Sequence, residues 1–181
     1  MVDLAEIQAA YYMIAATGVI IAAAFYVVNL REQRRSRRIA QTNELLKFFL
    51  TIEGQKIHLD LFEMKWSDYE DFERKYGTDT GEAGKLNCAM RNVYWYSYDT
   101  LGRQLKAGLI DRETLYGAVG LGAAWMWAKF RQVLEENRRR YSGRDAFEGL
   151  EYLAGEMLRM KLERDPSYKI PEAFIQYVVE K

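Results

Sequence analysis

An all-α architecture is predicted, with one N-terminal transmembrane helix followed by a cytoplasmic bundle of about five helices. Three observations predict it. Residues 7–30 contain no Asp, Glu, Lys or Arg. Beyond them, apolar residues recur at steps of three and four through most of the chain. Strand-length alternation is missing: residues 93–98 are β-prone in composition, but helical periodicity on both sides overrules it.

The apolar stretch comes first. As a helix it reaches roughly 36 Å, enough to cross a hydrocarbon core of about 30 Å with modest tilt. Its polar residues are Gln8, Thr17 and Asn29, and a helix satisfies its own backbone groups where lipid cannot. Tyr11 and Tyr12 mark one end and Phe25 and Tyr26 the other, where aromatic rings favour the headgroup interfaces. Asp3 and Glu6 precede the stretch, whereas Arg31, Arg34, Arg35, Arg37 and Arg38 crowd its far side. This asymmetry predicts an outer N-terminus and a cytoplasmic body in the cell membrane. A cleaved signal peptide is the rival reading, but it needs a basic leading region and a shorter apolar core.

Two features of this region are candidate contact sites. Ala15, Gly18 and Ala22 share a face at spacings that let two membrane helices approach closely. The five arginines are candidate contacts for anionic lipid headgroups; the plainer reading is that they stop transfer and fix orientation.

Composition narrows the function. The chain has 181 residues, with 26 basic side chains balancing 26 acidic ones. Residues 1–30 contribute −2 and residues 31–38 contribute +4, so the remainder carries −2 and has no basic excess to hold a nucleic acid. Cys88 is the only cysteine and His58 the only histidine. A disulfide within the chain is therefore excluded, and a zinc cluster or a Ser-His-Asp triad would lean on a single residue. No cofactor is expected, and the chain reads as non-enzymatic.

The first cytoplasmic helix is expected to run to about residue 64 on Ile39, Leu46, Phe49, Leu50, Ile57 and Leu61, with Gly54 as a place for a kink or break. Ser67 and Glu70 have capping-box spacing and predict a short helix carrying Tyr69, Phe72 and Tyr76, ended by a left-handed Gly77. Asp79 and Glu82 repeat the spacing and open a longer helix with the stripe Leu86, Met90, Tyr94, Tyr98, Leu101 and Leu105, closed by Gly108.

Asp111 is the predicted N-cap of a fourth helix bearing Leu115, Val119, Gly122, Met126, Phe130 and Val133. Residues 114–128 lack charge. At about 22 Å they are short of a span, and crossing would carry Arg131 and Arg138–Arg140 outside, so a buried helix is expected. Its glycines Gly117, Gly120 and Gly122 offer a smooth packing face. After Ser142 and Gly143, a fifth helix carries Ala146, Leu150, Leu153, Met157 and Met160. A tail from Asp165 holds the short apolar patch Phe174, Ile175, Val178 and Val179. The predicted divisions are 1–30, 31–64, 65–164 and 165–181.

The aromatic residues Tyr94, Trp95, Tyr96, Tyr98, Trp125 and Trp127 read first as core packing. The functional alternative makes Tyr94, Tyr98 and Trp125 the walls of a ligand pocket between two helices. The acidic run Glu63, Asp68, Glu70, Asp71 and Glu73 lacks the spacing and glycine of a calcium loop and reads as a solvated face. Arg138, Arg139, Arg140 and Arg144 sit beside Glu135 and Glu136 and read as surface pairs. His58, beside Asp60, reads as a surface or half-buried residue.

Trp66, Phe72 and Tyr76-Gly77, then residues 106–111 (KAGLID), then Trp127, Phe130-Arg131, Arg138 and Phe147-Glu148-Gly149-Leu150 carry a resemblance across residues 66–153. That stretch is similar to a family of uncharacterised prokaryotic proteins joining one N-terminal membrane helix to a helical cytoplasmic domain. The resemblance implies architecture and membrane attachment and adds no activity. Three functions follow as expectations: a membrane-anchored protein-interaction or scaffold module, a membrane-tethered ligand sensor or enzyme using the aromatic pocket, or a small subunit of a larger membrane complex. The expected partners are the lipid bilayer and either a second copy or another membrane protein.

Overall fold

The computed structural model describes residues 4–143 and 145–172. Among them are seven α-helices, one 3-10 turn and one π turn, and no strand. The all-α class is as predicted. The chain divides into two compact units, Met1–Gln41 and Thr42–Lys181.

The first unit consists of most of helix α1, Leu4–Leu50. It is the one described helix long and apolar enough to cross a membrane, with a mean hydropathy of 2.1 over its most apolar window. Its large side chains are exposed, Ile14 by 74% and Phe25 by 69%. The Thr17 hydroxyl donates to the Met13 carbonyl at 2.8 Å, which satisfies it inside the helix.

The second unit opens on the last turns of α1, where Thr42, Leu46 and Phe49 are buried. The helix stops at Thr51, three residues before the expected weak point. Thr51 adopts an extended conformation, accepts from the Gly54 amide at 2.9 Å and donates to the Phe48 carbonyl at 2.9 Å. A capping hydroxyl thus ends one helix and starts α2, Ile52–Glu63. Gly54 serves closeness: a methyl there would overlap the Phe48 carbonyl oxygen.

Helix α3, Tyr69–Tyr76, is capped by Asp68 and not by Ser67; the Asp68 carboxylate accepts from the Asp71 amide at 2.8 Å. Gly77 ends it in extended and not left-handed conformation, at φ −71. A 3-10 turn, Thr78–Thr80, follows, and α4, Glu82–Lys106, starts from Gly81 without a side-chain cap, so Asp79 does not cap it. On α4 the predicted stripe holds at Tyr94, Tyr98 and Leu101, whereas Leu86 is 63% exposed.

Asp111 caps α5, Arg112–Val119, as predicted, accepting from the Thr114 amide at 2.8 Å. The single fourth helix expected from residue 111 to 133 is two helices. Gly120 takes φ +52, a conformation that breaks the run and favours glycine, and α6, Gly122–Asn137, begins beyond it. Helix α6 is a core helix: Met126, Phe130 and Leu134 are fully buried. A π turn, Arg138–Ser142, leads to α7, Glu148–Arg164. The predicted tail patch from Phe174 to Val179, and Arg144, lie outside the described residues.

Helices α4 and α7 form the most extensive pair. They touch through backbone at Gly102 and Gly149, where a methyl on Gly102 would overlap the Gly149 carbonyl oxygen. Around this pair, Trp95, Phe72, Phe130, Leu101, Leu150 and Met157 fill the centre of the core.

Candidate functional site

A cavity of about 180 Å³ lies inside the second unit, walled by α1, α2, α4, α5 and α6. The Thr51 break lets the end of α1 and the start of α2 both reach it. They supply Phe49, Leu50, Gln55 and His58; α4 supplies Tyr94 and Tyr98; Ala118, Val119 and Gly122 complete the wall. Buried Phe49, Tyr94 and Tyr98 form the floor, and exposed Leu50, Gln55 and Ala118 stand at the rim.

The floor is held by ring contacts. Phe49 stacks on Tyr98 with centroids 4.6 Å apart and meets Tyr94 edge-on at 5.2 Å, arrangements that favour the ring quadrupoles. The Tyr94 hydroxyl donates to the Gly54 carbonyl, which fixes α2 to α4. Gln55 donates from its amide to the Phe49 carbonyl.

The Tyr98 hydroxyl differs: it forms no hydrogen bond among the described residues, although Tyr98 is only 4% exposed. It lies 2.8 Å from where a methyl on Gly122 would sit, so Gly122 makes room for it. Burial pushes the Tyr94 phenol up to about 12 and raises that of Tyr98 further, so both stay protonated.

His58 packs against the rings of Phe62 and Tyr94, with centroids 4.7 and 5.9 Å away. Desolvation lowers its pKa from the ordinary 6.5. Because the folded value lies below the unfolded one, protonation favours the unfolded chain. The stability carried by neutral His58 is complete above about pH 6.5 and is lost as pH falls through the folded value. The urea midpoint of the protein is therefore expected to fall between about pH 7.5 and pH 5.5, and His58→Gln to flatten that step. A midpoint constant across this window in the unaltered protein would count against the desolvated, half-buried imidazole. The low-lying carboxylates titrate elsewhere. Lys75 holds Asp71 at about 2 and Arg139 holds Glu136 at about 2, so their share disappears only as pH falls from about 4 towards 2.

The residues singled out from sequence are placed as follows. Tyr94 and Tyr98 line the cavity; half-buried Trp125 is not among its lining residues. Ala15, Gly18 and Ala22 are exposed on α1, and Gly18 has nothing within 4 Å of its position for a side chain. Arg31, Arg34, Arg35 and Arg37 are exposed along the same helix, while the side chain of Arg38 lies outside the described part.

Sequence reasoning missed the cavity contributions of Gln55, His58 and Gly122. It also read Asp71 as solvated, whereas Asp71 is buried and accepts from Lys75 and Arg74 and, at 3.1 Å, from the Ser67 amide. Arg91 is buried too: it donates to the Tyr76 carbonyl at 2.9 Å and lies 4.7 Å over the Phe72 ring. These charges lock α3 and its neighbours to the core.

Comparison with protein-family models, with curated proteins and with solved structures yields no match.

Proposed function

We propose that this chain is a single-pass membrane protein with an outer N-terminus, whose cytoplasmic helical domain binds other proteins or a second copy of itself. The observation that carries the reading is α1: a charge-free stretch, exposed at residues 7–9 and 11–29, followed at once by a cluster of arginines. Water does not solvate such a surface cheaply, since each Å² of apolar area left wet costs about 25 cal/mol. The arginines supply orientation, and each near an anionic leaflet adds about 1 kcal/mol of attraction.

The interaction role rests on the surface of the second unit. On α4, Leu86, Val93 and Tyr96 are exposed by 63, 45 and 58%. A shallow groove beside them is lined by Asn92, Val93, Tyr96, Ser97 and Thr100. At the start of the unit, Leu50 and Ile52 are exposed by 75 and 85%. Apolar patches of this kind are what a protein partner covers.

Orientation is tested with a C-terminal epitope tag on the full chain. The tag is expected to resist protease added to intact cells and to be digested once the membrane is permeabilised. Digestion from outside intact cells overturns the proposed topology. The mass of the particle extracted in mild detergent then separates a self-associating module from a subunit with stoichiometric partners.

A further inference from the structure

The cavity holds a feature that packing alone does not call for. Tyr98 as a residue is almost wholly buried, yet its hydroxyl is not among the fully enclosed polar atoms and keeps contact with solvent, which phenylalanine in the same place would not need. Tyr98 keeps its hydroxyl at the bottom of the cavity, where Gly122 leaves space for it. Neighbouring Tyr94 has the same hydroxyl but uses it on the Gly54 carbonyl. The Tyr98 hydroxyl is therefore a polar atom with no partner among the described residues, set beside Gly122 in the wall of a space that opens at its rim.

We propose that this cavity binds a small neutral aromatic molecule carrying one hydrogen-bonding group, received by the Tyr98 hydroxyl. Size sets the first limit. An apolar cavity of about 150 Å³ takes up benzene, so about 180 Å³ accommodates one substituted ring. Charge sets the second. Among the described residues no Asp, Glu, Lys or Arg lines the wall, and desolvation favours the neutral form of the His58 imidazole, so an ionised ligand would be buried without a counter-charge. Chemistry sets the third. The rings of Phe49, Tyr94 and Tyr98 offer faces and edges to another ring, and a phenol serves as donor or acceptor for one polar atom of the ligand. The imidazole and the Gln55 carbonyl nearer the rim provide a second polar contact.

The site lies within the Thr42–Lys181 unit and does not require α1 to cross a bilayer. Its failure would leave the proposed topology standing, and failure of the topology would leave the site standing.

The test uses the full chain in lipid nanodiscs with para-fluorophenol as probe and para-fluorobenzoate as its charged counterpart, both followed by fluorine NMR. Empty discs give the partition into lipid. Saturable binding of para-fluorophenol above that baseline is expected, with none of para-fluorobenzoate. Tyr98→Phe is expected to weaken the phenol about fivefold, as loss of one neutral hydrogen bond predicts, while leaving thermal stability unchanged. Ala118→Trp, at the exposed rim, is expected to block entry without disturbing the core. Phenol binding that is absent above the lipid baseline, is matched by the benzoate, or is indifferent to both substitutions overturns the proposal.

Discussion

Gly102→Ala is expected to destabilise the second unit by about 3 kcal/mol. Overpacking costs typically 1–3 kcal/mol and more where the obstacle cannot move, against a gain of about 1 kcal/mol from the better helix former. Here the obstacle is the Gly149 carbonyl oxygen, which is backbone and held inside α7. The added methyl must part α4 and α7 along the most extensive contact of the bundle. Gly155→Ala, on α7 with nothing within 4 Å, is the matched control and should gain up to about 1 kcal/mol. Urea unfolding followed by tryptophan fluorescence reads both, because α1 carries no tryptophan and contributes nothing to that signal. A Gly102→Ala midpoint equal to the unaltered protein's would mean that the two helices are not in backbone contact.

Asp99→Ala should cost a similar amount, about 3 kcal/mol, by a different route. Asp99 is buried on α4 and accepts from the amides of Gly149 at 2.8 Å and Leu150 at 3.2 Å, while Arg103 donates to it at 2.8 Å. Helix α7 has no side-chain cap of its own, since Phe147 stands at its N-terminus in left-handed conformation at φ 58. The carboxylate of one helix therefore caps another, and its negative charge meets the positive end of the α7 dipole. Alanine leaves two buried N–H groups without acceptors. Asparagine keeps an oxygen and loses only the charge, so Asp99→Asn is expected to cost about 1 kcal/mol. Equal losses for the two variants would show that charge, and not the acceptor, is what α7 requires.

These two sites show what sequence does and does not reveal. Asp111 was legible as a cap because its acceptor serves an amide three residues on. Asp99 was not, because the amides it serves lie 50 and 51 residues away. The α1 stretch was legible from length and charge alone, and the middle of α4 from its periodicity. The choice between Ser67 and Asp68 was not, since both are good acceptors one residue apart. The break at Gly120 hid in an uncharged run whose apolar spacing continues across it. Within the cavity, Tyr94 and Tyr98 stood on a visible stripe, whereas His58 and Gln55 reach it only because α2 starts afresh at Thr51.

Lys129, on α6, donates to the carbonyls of Phe62 at 2.6 Å, in the last turn of α2, and of Met64 at 2.8 Å, the residue that follows the helix. Helix ends need such partners, and α2 finds this one 65 to 67 residues further along the chain. The end of α2 is therefore satisfied only where α6 is folded and packed against it, so removing the Lys129 ammonium unties a helix that lies far back along the chain.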